Sequence, residues 1–179
     1  DKIVEEVSAI FLKKVEPKDL SNLQQIGRET FYETFAQGNT AEDMAKYLSE
    51  SFSTEKLLGE INNPCSIFYL ALDNNQVIGY LKINFGDAQT ENQLENAFEI
   101  ERIYVLKTYQ GKAVGQLLFN KALQLANEQH ADFVWLGVWE ENHRAIRFYQ
   151  KNGFVEFGKH IFKLGADEQT DLLLKKILL

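Results

Sequence analysis

The segment TYQGKAVGQLL, residues 108–118, places two glycines and a lysine at the start of an apolar helical pattern. Glycine leaves its backbone N–H accessible, and the N-terminus of a helix attracts anions. The segment lacks the G-x-G-x-x-G fingerprint of dinucleotide sites and the G-K-[ST] ending of a Walker A loop. Glycine spacing alone therefore leaves two interpretations open, an ordinary turn and a cradle for a phosphate-like anion.

Two carboxylates precede this segment. Glu99 and Glu101 are two residues apart in FEIERIYVL, whose alternation predicts a strand. A regular strand would place both on one face, together with Ile103 and Val105. Acidic side chains are unusual on a strand that is otherwise buried. The pair is therefore a candidate for acid–base chemistry or for binding a cation.

Periodicity predicts the elements that must position these residues. A first strand is expected at 9–15, and helical stretches are expected from Pro17, after an N-cap at Thr40 and over STEKLLGEI. DNN between SIFYLAL and QVIGYLKINF indicates a hairpin. A helix over 112–130 joins FEIERIYVL to FVWLGVW, so these two strands are expected to be parallel.

A last helix, from about Asn142 to Lys151, is expected to end at Gly153, and two strands complete the chain. The sequence thus predicts an α/β fold of the α+β type, as a single domain over residues 1–179. Its mixed sheet of about seven strands is flanked by helices and contains a central parallel βαβ unit.

Composition indicates a soluble globular protein, with 45% hydrophobic and 25% charged residues. No apolar run approaches the roughly 18 residues of a membrane span, so no membrane partner is expected. The charged first thirty residues show no secretory signal, and the single Cys65 fits a reducing compartment. A cytoplasmic location is the expectation.

Charge narrows the classes of ligand. A net charge of −7 argues against nonspecific nucleic-acid binding. The stretch 100–151 is nevertheless mildly basic, with seven basic and five acidic residues, which indicates an anionic ligand there and a cationic partner elsewhere. His130, His143 and His160 lack a metal-ligand spacing, so no metal is expected.

Two motifs together resemble the GNAT superfamily of acetyl-CoA-dependent N-acetyltransferases. IYVLKTYQGKAVGQLL is similar to the family's Q/R-x-x-G-x-G/A motif, and WLGVWEENHRAIRFYQKNGF is similar to its N-x-x-A-x-x-F-Y-x-x-x-G-F motif. The matched residues are Gln110, Ala113, Gly115, Asn142, Ala145, Phe148, Tyr149, Gly153 and Phe154. FEIERIYVLKTYQ and DEQTDLLL extend the resemblance to the branch of PaiA-type spermidine/spermine N-acetyltransferases, over nearly the whole chain.

The resemblance implies acetyl-CoA as cosubstrate. It places the pyrophosphate against a run of backbone N–H groups, with Lys112 as counter-charge; the run comprises Gln110, Gly111, Lys112, Ala113, Val114, Gly115 and Gln116. The pantetheine arm would pair, like an added strand, with Ile103, Tyr104 and Val105. Asn142 would contact CoA, which is compatible with a role as N-cap, and Lys151 and Arg144 are further candidates for the phosphates.

Ala113 departs from the family motif, which has glycine there. A methyl group would hinder the pyrophosphate if the position needed a positive φ, whereas alanine fits the first turn of a helix. The intact Gly115 favours the second case.

The resemblance also assigns Tyr149 as the acid that protonates the departing sulfur. The alternative is a core tyrosine, since Ile146 and Tyr149 form an apolar helical pair. Glu101 is preferred as a base acting through water, with Glu99 as the second candidate. Both glutamates have an equally good alternative in ion pairs with Arg102 or Lys82 across the sheet.

The expected acceptor is a small cationic amine, a polyamine such as spermidine or spermine, attacked directly in a ternary complex. Glu29 and Glu33, one helical turn apart, are the candidates for binding it. The alternatives are another amine, such as a peptide N-terminus or an amino acid, and a noncatalytic acyl-CoA-binding regulator. A homodimer is a family-level expectation.

Overall fold

A seven-stranded mixed sheet is the centre of the computed structural model, which describes residues 10–179 apart from the side chains of Phe162 and Leu164. The strands are β1 (Ile10–Lys14), β2 (Ser66–Asp73), β3 (Gln76–Phe85), β4 (Ala97–Val105), β5 (Phe133–Trp139), β6 (Val155–Leu164) and β7 (Asp167–Ile177). The helices among these residues are α1 (Leu20–Phe35), α2 (Ala41–Ser51), α3 (Thr54–Ile61), α4 (Val114–Glu128) and α5 (His143–Lys151).

The strand order is β1-β2-β3-β4-β5-β7-β6, and β4 and β5 form the parallel pair. The predicted mixed sheet and its central βαβ unit are confirmed. Ala9, the first residue of the expected strand at 9–15, lies outside the described residues. No helix in the described part of the chain is long and apolar enough to cross a membrane.

Local sequence signals account for several boundaries. Asn74 and Asn75 both have positive φ, 48° and 72°, in the tight turn that joins β2 to β3. Thr40 caps α2 as predicted, because its hydroxyl oxygen accepts a bond from the Asp43 N–H at 3.0 Å. Pro17 begins a short 3₁₀ turn, and α1 itself begins at Leu20.

Apolar side chains are buried on both faces of the sheet. Helix α4 packs on one face through Val114, Leu118 and Ala122, which are at most 1% exposed. Helices α1 to α3 cover part of the other face, where residues such as Leu23 and Leu57 are buried. Strand β4 therefore lies in the middle of the sheet, between two layers of helices.

A bulge interrupts the pairing of β4 with β3. Lys82 lies opposite Arg102 whereas Ile83 lies opposite Ile100, so Glu101 is an extra residue in β4. One extra residue exchanges the two faces of the strand beyond it. The prediction that Ile103 and Val105 share a face with the glutamates is therefore wrong. Both are half-buried and pack against the core cluster beneath α4, to which Ile100 belongs.

The parallel pairing of β4 with β5 is short. Its last pair joins Ile100 to Leu136, although β4 continues to Val105 and β5 to Trp139. The two strands therefore separate beyond Ile100, and the β5-facing side of β4 is left without a neighbouring strand over residues 101–105.

Gly79 tests the close packing of β3 on β4. A Cβ added there would lie 2.7 Å from the Tyr104 carbonyl oxygen, and backbone cannot move aside cheaply. We expect Gly79→Ala to lower the free energy of unfolding by about 1–3 kcal/mol, measured by urea denaturation. Gly59→Ala on α3 is the control, because nothing lies within 4 Å of its added Cβ. Equal stability of the two variants would contradict this packing.

Candidate active site

Two cavities meet where β4 and β5 separate. The first, about 550 Å³, lies between the end of β4, the segment 109–116 and α5, and is called the loop cavity. The second, about 340 Å³, extends from the same point between β4, β5, α1 and β7, and is called the acidic cavity. The residues lining both are Thr34, Ile103, Tyr104, Asn142, Ala145 and Tyr149. Molecules bound in the two cavities would therefore meet at this shared wall.

The N-terminus of α4 supplies unpaired backbone donors to the loop cavity. The first helical bond of α4 runs from Leu117 N to Ala113 O, so the N–H groups of residues 114–116 have no partner inside the helix. Gly111 and Ala113 both have positive φ, 83° and 64°. Successive N–H groups in such a turn form a concave site for an anion.

The expected conformation of Ala113 is wrong. Ala113 does not lie in the first helical turn; it is the N-cap residue of α4 and adopts the left-handed conformation, with φ 64° and ψ 12°. This conformation costs an L-residue roughly 1–2 kcal/mol, and glycine avoids that cost. Ala113 nevertheless lines the loop cavity.

Most residues proposed for the cofactor line the loop cavity. They are Ile103, Tyr104, Val105, Gln110, Gly111, Ala113, Gly115, Gln116 and Asn142. Val114 does not, because its side chain is 1% exposed in the core. The Lys112 ammonium lies over the Tyr109 ring at 5.2 Å, and Lys151 is exposed at the end of α5. Neither lysine lines the cavity.

Arg144, which like Lys151 was a sequence-based candidate for the phosphates, is a cation of this cavity. It lines the cavity and donates a hydrogen bond to the Gln110 side-chain oxygen at 2.5 Å. It is the second residue of α5, two residues after Asn142. Asn142 caps α5 by accepting a bond from the Ala145 N–H at 3.3 Å, and it lines both cavities.

Tyr149 is both a core residue and a cavity residue. Its side chain is 6% exposed, and its ring centroid lies 5.5 Å from that of Phe154 and 6.3 Å from that of Phe119. Its hydroxyl makes no hydrogen bond to any residue that the structure describes, and Tyr149 lines both cavities. Burial raises the pKa of the phenol.

Glu99 is almost completely buried, at 3% exposure, and its carboxylate is well bonded. It accepts bonds from the Thr90 N–H at 2.8 Å, the Thr90 hydroxyl at 2.5 Å and the Asn84 amide at 3.1 Å. Burial raises its pKa, against the effect of these bonds. The alternative of an ion pair with Arg102 or Lys82 does not apply to Glu99.

Glu101 does form that ion pair. It accepts bonds from the Lys82 ammonium and the Asn84 amide, both at 2.7 Å, and the Arg102 guanidinium lies 3.4 Å away. Burial alone would raise the pKa of Glu101, but Arg102 and Lys82 outweigh burial and lower it. Glu99 and Glu101 share the Asn84 amide, and both line the acidic cavity.

Two more carboxylates line the acidic cavity and escaped the sequence-based prediction. Glu91 lies in the loop before β4, and its carboxylate is 3.6 Å from the His160 imidazole. Asp171 is on β7, where burial raises its pKa, with the nearby His160 opposing and Glu91 adding to the effect. An acid inside the apolar run TDLLL was a signal of the kind that singled out Glu99.

The proposed acceptor residues Glu29 and Glu33 do not line the acidic cavity. Glu29 is exposed and accepts a bond from Gln25 at 3.0 Å. Glu33 accepts a bond from the Lys107 N–H at 3.0 Å, so it holds the turn after β4. Aromatic side chains of α1 and its neighbours line the cavity instead; they are Phe31, Phe35, Tyr47, Phe52 and Trp139.

The site thus consists of a helix N-terminus and two joined cavities at the point where the parallel strands of a mixed sheet separate. The model of the Acetyltransferase (GNAT) family matches residues 23–154. The chain belongs to this family and is an N-acetyltransferase that uses acetyl-CoA as cosubstrate. The backbone donors and the open edge of β4 at the loop cavity fit that cosubstrate.

Relatives match nearly full length. The chain is 44% identical over 172 residues to the "Uncharacterized N-acetyltransferase in pepI 3′ region" of Lactobacillus delbrueckii subsp. lactis, covering 96% of this chain and 99% of the relative. It is 27% identical to the spermidine N(1)-acetyltransferase of Thermoplasma acidophilum, covering 94% and 97%. The crystal structure of the PaiA N-acetyltransferase of T. acidophilum with coenzyme A has TM-score 0.77 and 25% identity, covering 94% and 99%.

A substitution at Gly115 distinguishes an effect on stability from an effect on cofactor binding. It is in the first turn of α4, lines the loop cavity and has nothing within 4 Å of an added Cβ. We expect Gly115→Ala to raise the free energy of unfolding by about 0.5–1 kcal/mol, because alanine is the better helix residue. The same methyl enters the cavity, so KM for acetyl-CoA should rise about tenfold.

Steady-state kinetics and urea denaturation check the two effects. Gly59→Ala, in an exposed helical position, is the control and should gain stability without a change in KM. An unchanged KM in Gly115→Ala would argue against phosphate binding at this turn.

Proposed function

We propose that the enzyme transfers an acetyl group from acetyl-CoA to a primary amine of a small polyamine, such as spermidine or spermine, in a ternary complex. One observation carries the proposal: the cavity that joins the loop cavity at Tyr149 is lined by four carboxylates. They are Glu91, Glu99, Glu101 and Asp171, and the basic residues among the lining residues are Arg102 and His160. A cavity with this excess of negative charge favours an acceptor with more than one ammonium group. The spermidine acetyltransferase among the relatives supports the same acceptor class.

The backbone of the loop cavity is proposed to hold the cosubstrate. The N–H groups of residues 114–116 and the turn at Gly111 suit the pyrophosphate. Residues 103–105, on the side of β4 that has lost β5, offer strand-like hydrogen bonds to the amides of the pantetheine arm. Acetyl-CoA supplies the reactive thioester when bound. In our proposal this arrangement directs the thioester toward the wall that contains Tyr149.

Tyr149 is proposed to donate the proton to the departing sulfur. Its raised pKa keeps the hydroxyl protonated, which is the form that a donor needs. The hydroxyl is bonded to no described residue and is therefore available to a group at the junction of the two cavities.

A carboxylate is required on the acceptor side. An ammonium with a pKa near 10.4 must lose a proton before it attacks, at a cost of about 4.6 kcal/mol at pH 7. We propose Glu101 as the carboxylate that takes this proton through water, since its lowered pKa keeps it ionised. Glu99 is the second candidate, although its oxygens are occupied by Thr90 and Asn84.

Direct attack by the amine fits the cavity walls. In the described part of the chain, neither cavity is lined by a cysteine or a serine, and Cys65 lies elsewhere. The hydroxyl of Thr34, on the shared wall, donates to the Thr30 carbonyl at 2.9 Å and is paired with no base that the structure describes. A covalent acyl-enzyme would need a nucleophile paired with a base at the junction. The acetyl group is therefore proposed to pass in a single step from the thioester to the acceptor.

Tyr149→Phe tests the proton donor. With acetyl-CoA and spermidine, we expect release of free CoA in the wild type and a kcat lower by about 100-fold in the variant, with little change in either KM. A thiol reagent follows the release, and urea denaturation should show stability within about 1 kcal/mol of wild type.

Each remaining outcome has a distinct meaning. Full activity of Tyr149→Phe would remove the proton donor from the proposal. Turnover with another amine but not with spermidine would retain the enzyme and reject the polyamine. Binding of CoA without transfer to any amine would support a noncatalytic regulator.

A substitution at Asp171 tests whether the acceptor carries a second ammonium group that binds there. We expect Asp171→Asn to raise KM for spermidine about tenfold and to leave kcat nearly unchanged, because one charge that attracts a remote ammonium is lost. KM for the monoamine n-propylamine should stay the same. Asp87→Asn, an exposed site with the same change in charge, is the control. An equal rise for both amines would contradict a second ammonium site at Asp171.

A further inference from the structure

Lys82 is a buried cation that lies outside both cavities. It is on β3, is 5% exposed and does not line the acidic cavity, whereas its partner Glu101 does. Lysine is almost never buried to this extent unless it is paired. Its place behind a carboxylate of the cavity indicates a role exerted through that carboxylate.

The Lys82 ammonium is held by two acids and an aromatic ring. It donates to Glu101 Oε1 at 2.7 Å and to Glu60 Oε1 at 2.5 Å, and it lies 5.5 Å from the centroid of the Phe68 ring. Glu60 is on α3, so the contact joins that helix to the sheet. The second oxygen of Glu60 is buried and has no hydrogen-bond partner among the described residues. The bond from Lys82 is therefore the main hydrogen bond of the Glu60 carboxylate.

We propose that Lys82 is a positioning residue for the acetyl transfer: it keeps Glu101 ionised and directs its carboxylate toward the acidic cavity, while Glu60 holds Lys82 in place. The inference rests on the role proposed above for Glu101. Lys82 and Glu60 line neither the loop cavity nor the acidic cavity, so in this proposal they touch neither acceptor nor cosubstrate. Their effect must pass through the one carboxylate that Lys82 contacts at the cavity wall.

Two cations face Glu101, Arg102 and Lys82, and both lower its pKa; Lys82 is the one that also donates a hydrogen bond to its carboxylate. The charged and titratable groups that face Glu101 are Lys82 and Tyr80 on β3, Arg102 and Glu99 on β4, Tyr47 on α2 and, through Lys82, Glu60 on α3. Arg102 lies farther away, at 3.4 Å, and also faces Glu60 at 3.9 Å. Lys82 alone combines a charge with a short hydrogen bond to the carboxylate.

Removal of Lys82 should raise the pKa of Glu101. Glu101 would keep its burial, which raises its pKa, and would lose one of the two cations that lower it. The carboxylate would then take up a proton at a higher pH, and the protonated form cannot accept a proton from the acceptor. Lys82→Arg keeps the cation and should retain the ionised state.

The pH dependence of kcat/KM for spermidine tests this. Below the amine pKa of about 10.4, log kcat/KM should rise by about one per pH unit in the wild type, since Glu101 is ionised throughout. In Lys82→Met we expect the profile of log kcat/KM to bend a second time, where Glu101 becomes protonated. On the acid side of this bend the slope should approach two, because both the amine and Glu101 must then lose a proton. The bend should lie at least about one pH unit higher than any such bend in the wild type. Lys82→Arg should restore the single slope.

A double variant guards against misfolding. Lys82→Met leaves Glu60 buried without its main partner, so Lys82→Met/Glu60→Gln, which removes one charge of each sign, should fold and show the same bend. The proposal would be overturned if the pH profiles of kcat/KM for Lys82→Met and for the double variant both ran parallel to that of the wild type.

A titration without turnover separates this inference from the acceptor assignment. Proteins labelled with ¹³C at the glutamate carboxyls are titrated by NMR, and the Glu101 signal is assigned with Glu101→Gln. The Glu101 signal should titrate at higher pH in the double variant than in the wild type. If spermidine is not a substrate, this measurement still supports or refutes the action of Lys82 on Glu101; coincident titration curves would refute it.

Discussion

The bulge at Glu101 exchanges the two faces of strand β4 near the point where the pairing of β4 with β5 ends. Without the extra residue, the side chains after Ile100 would exchange faces, and Ile103 would leave the core beneath α4. With it, Glu99 and Glu101 reach the acidic cavity while Ile103 and Val105 stay packed. The same few residues open the edge of β4 to the loop cavity. The site therefore depends on one irregularity of the backbone in the middle of the sheet.

Strand β4 places two acidic side chains, Glu99 and Glu101, in the protein interior. Neighbouring residues compensate for the burial of the two carboxylates in different ways. Among the residues that the structure describes, no cation forms an ion pair with Glu99, which accepts hydrogen bonds from Thr90 and Asn84. Glu101 is paired with Lys82 and Arg102. Because the two environments differ, burial prevails at Glu99 and raises its pKa, whereas the cations prevail at Glu101 and lower it. Adjacent carboxylates thus acquire different proton affinities on one strand.

Periodicity predicted the elements, the parallel pair and the caps at Thr40 and Asn142, because these follow from local patterns of burial and hydrogen bonding. Strict alternation was assumed through FEIERIYV, so the bulge was missed, although the two adjacent polar residues Glu101 and Arg102 shift the phase of the apolar pattern from Ile100 to Ile103. The left-handed Ala113 was missed because alanine ordinarily indicates helix. Glu29 and Glu33 were chosen by spacing on one helix. The acids of the cavity come instead from a loop and two strands that only the tertiary fold brings together.

The carboxylates around the acidic cavity also bear on what happens after transfer. An amide carries no charge at neutral pH, so acetylation removes one positive charge from the bound amine. If the acceptor is a polyamine, the product is therefore held less strongly than the substrate by the same four acids. The walls that attract the substrate thereby favour its departure once modified. Product inhibition should therefore be weak.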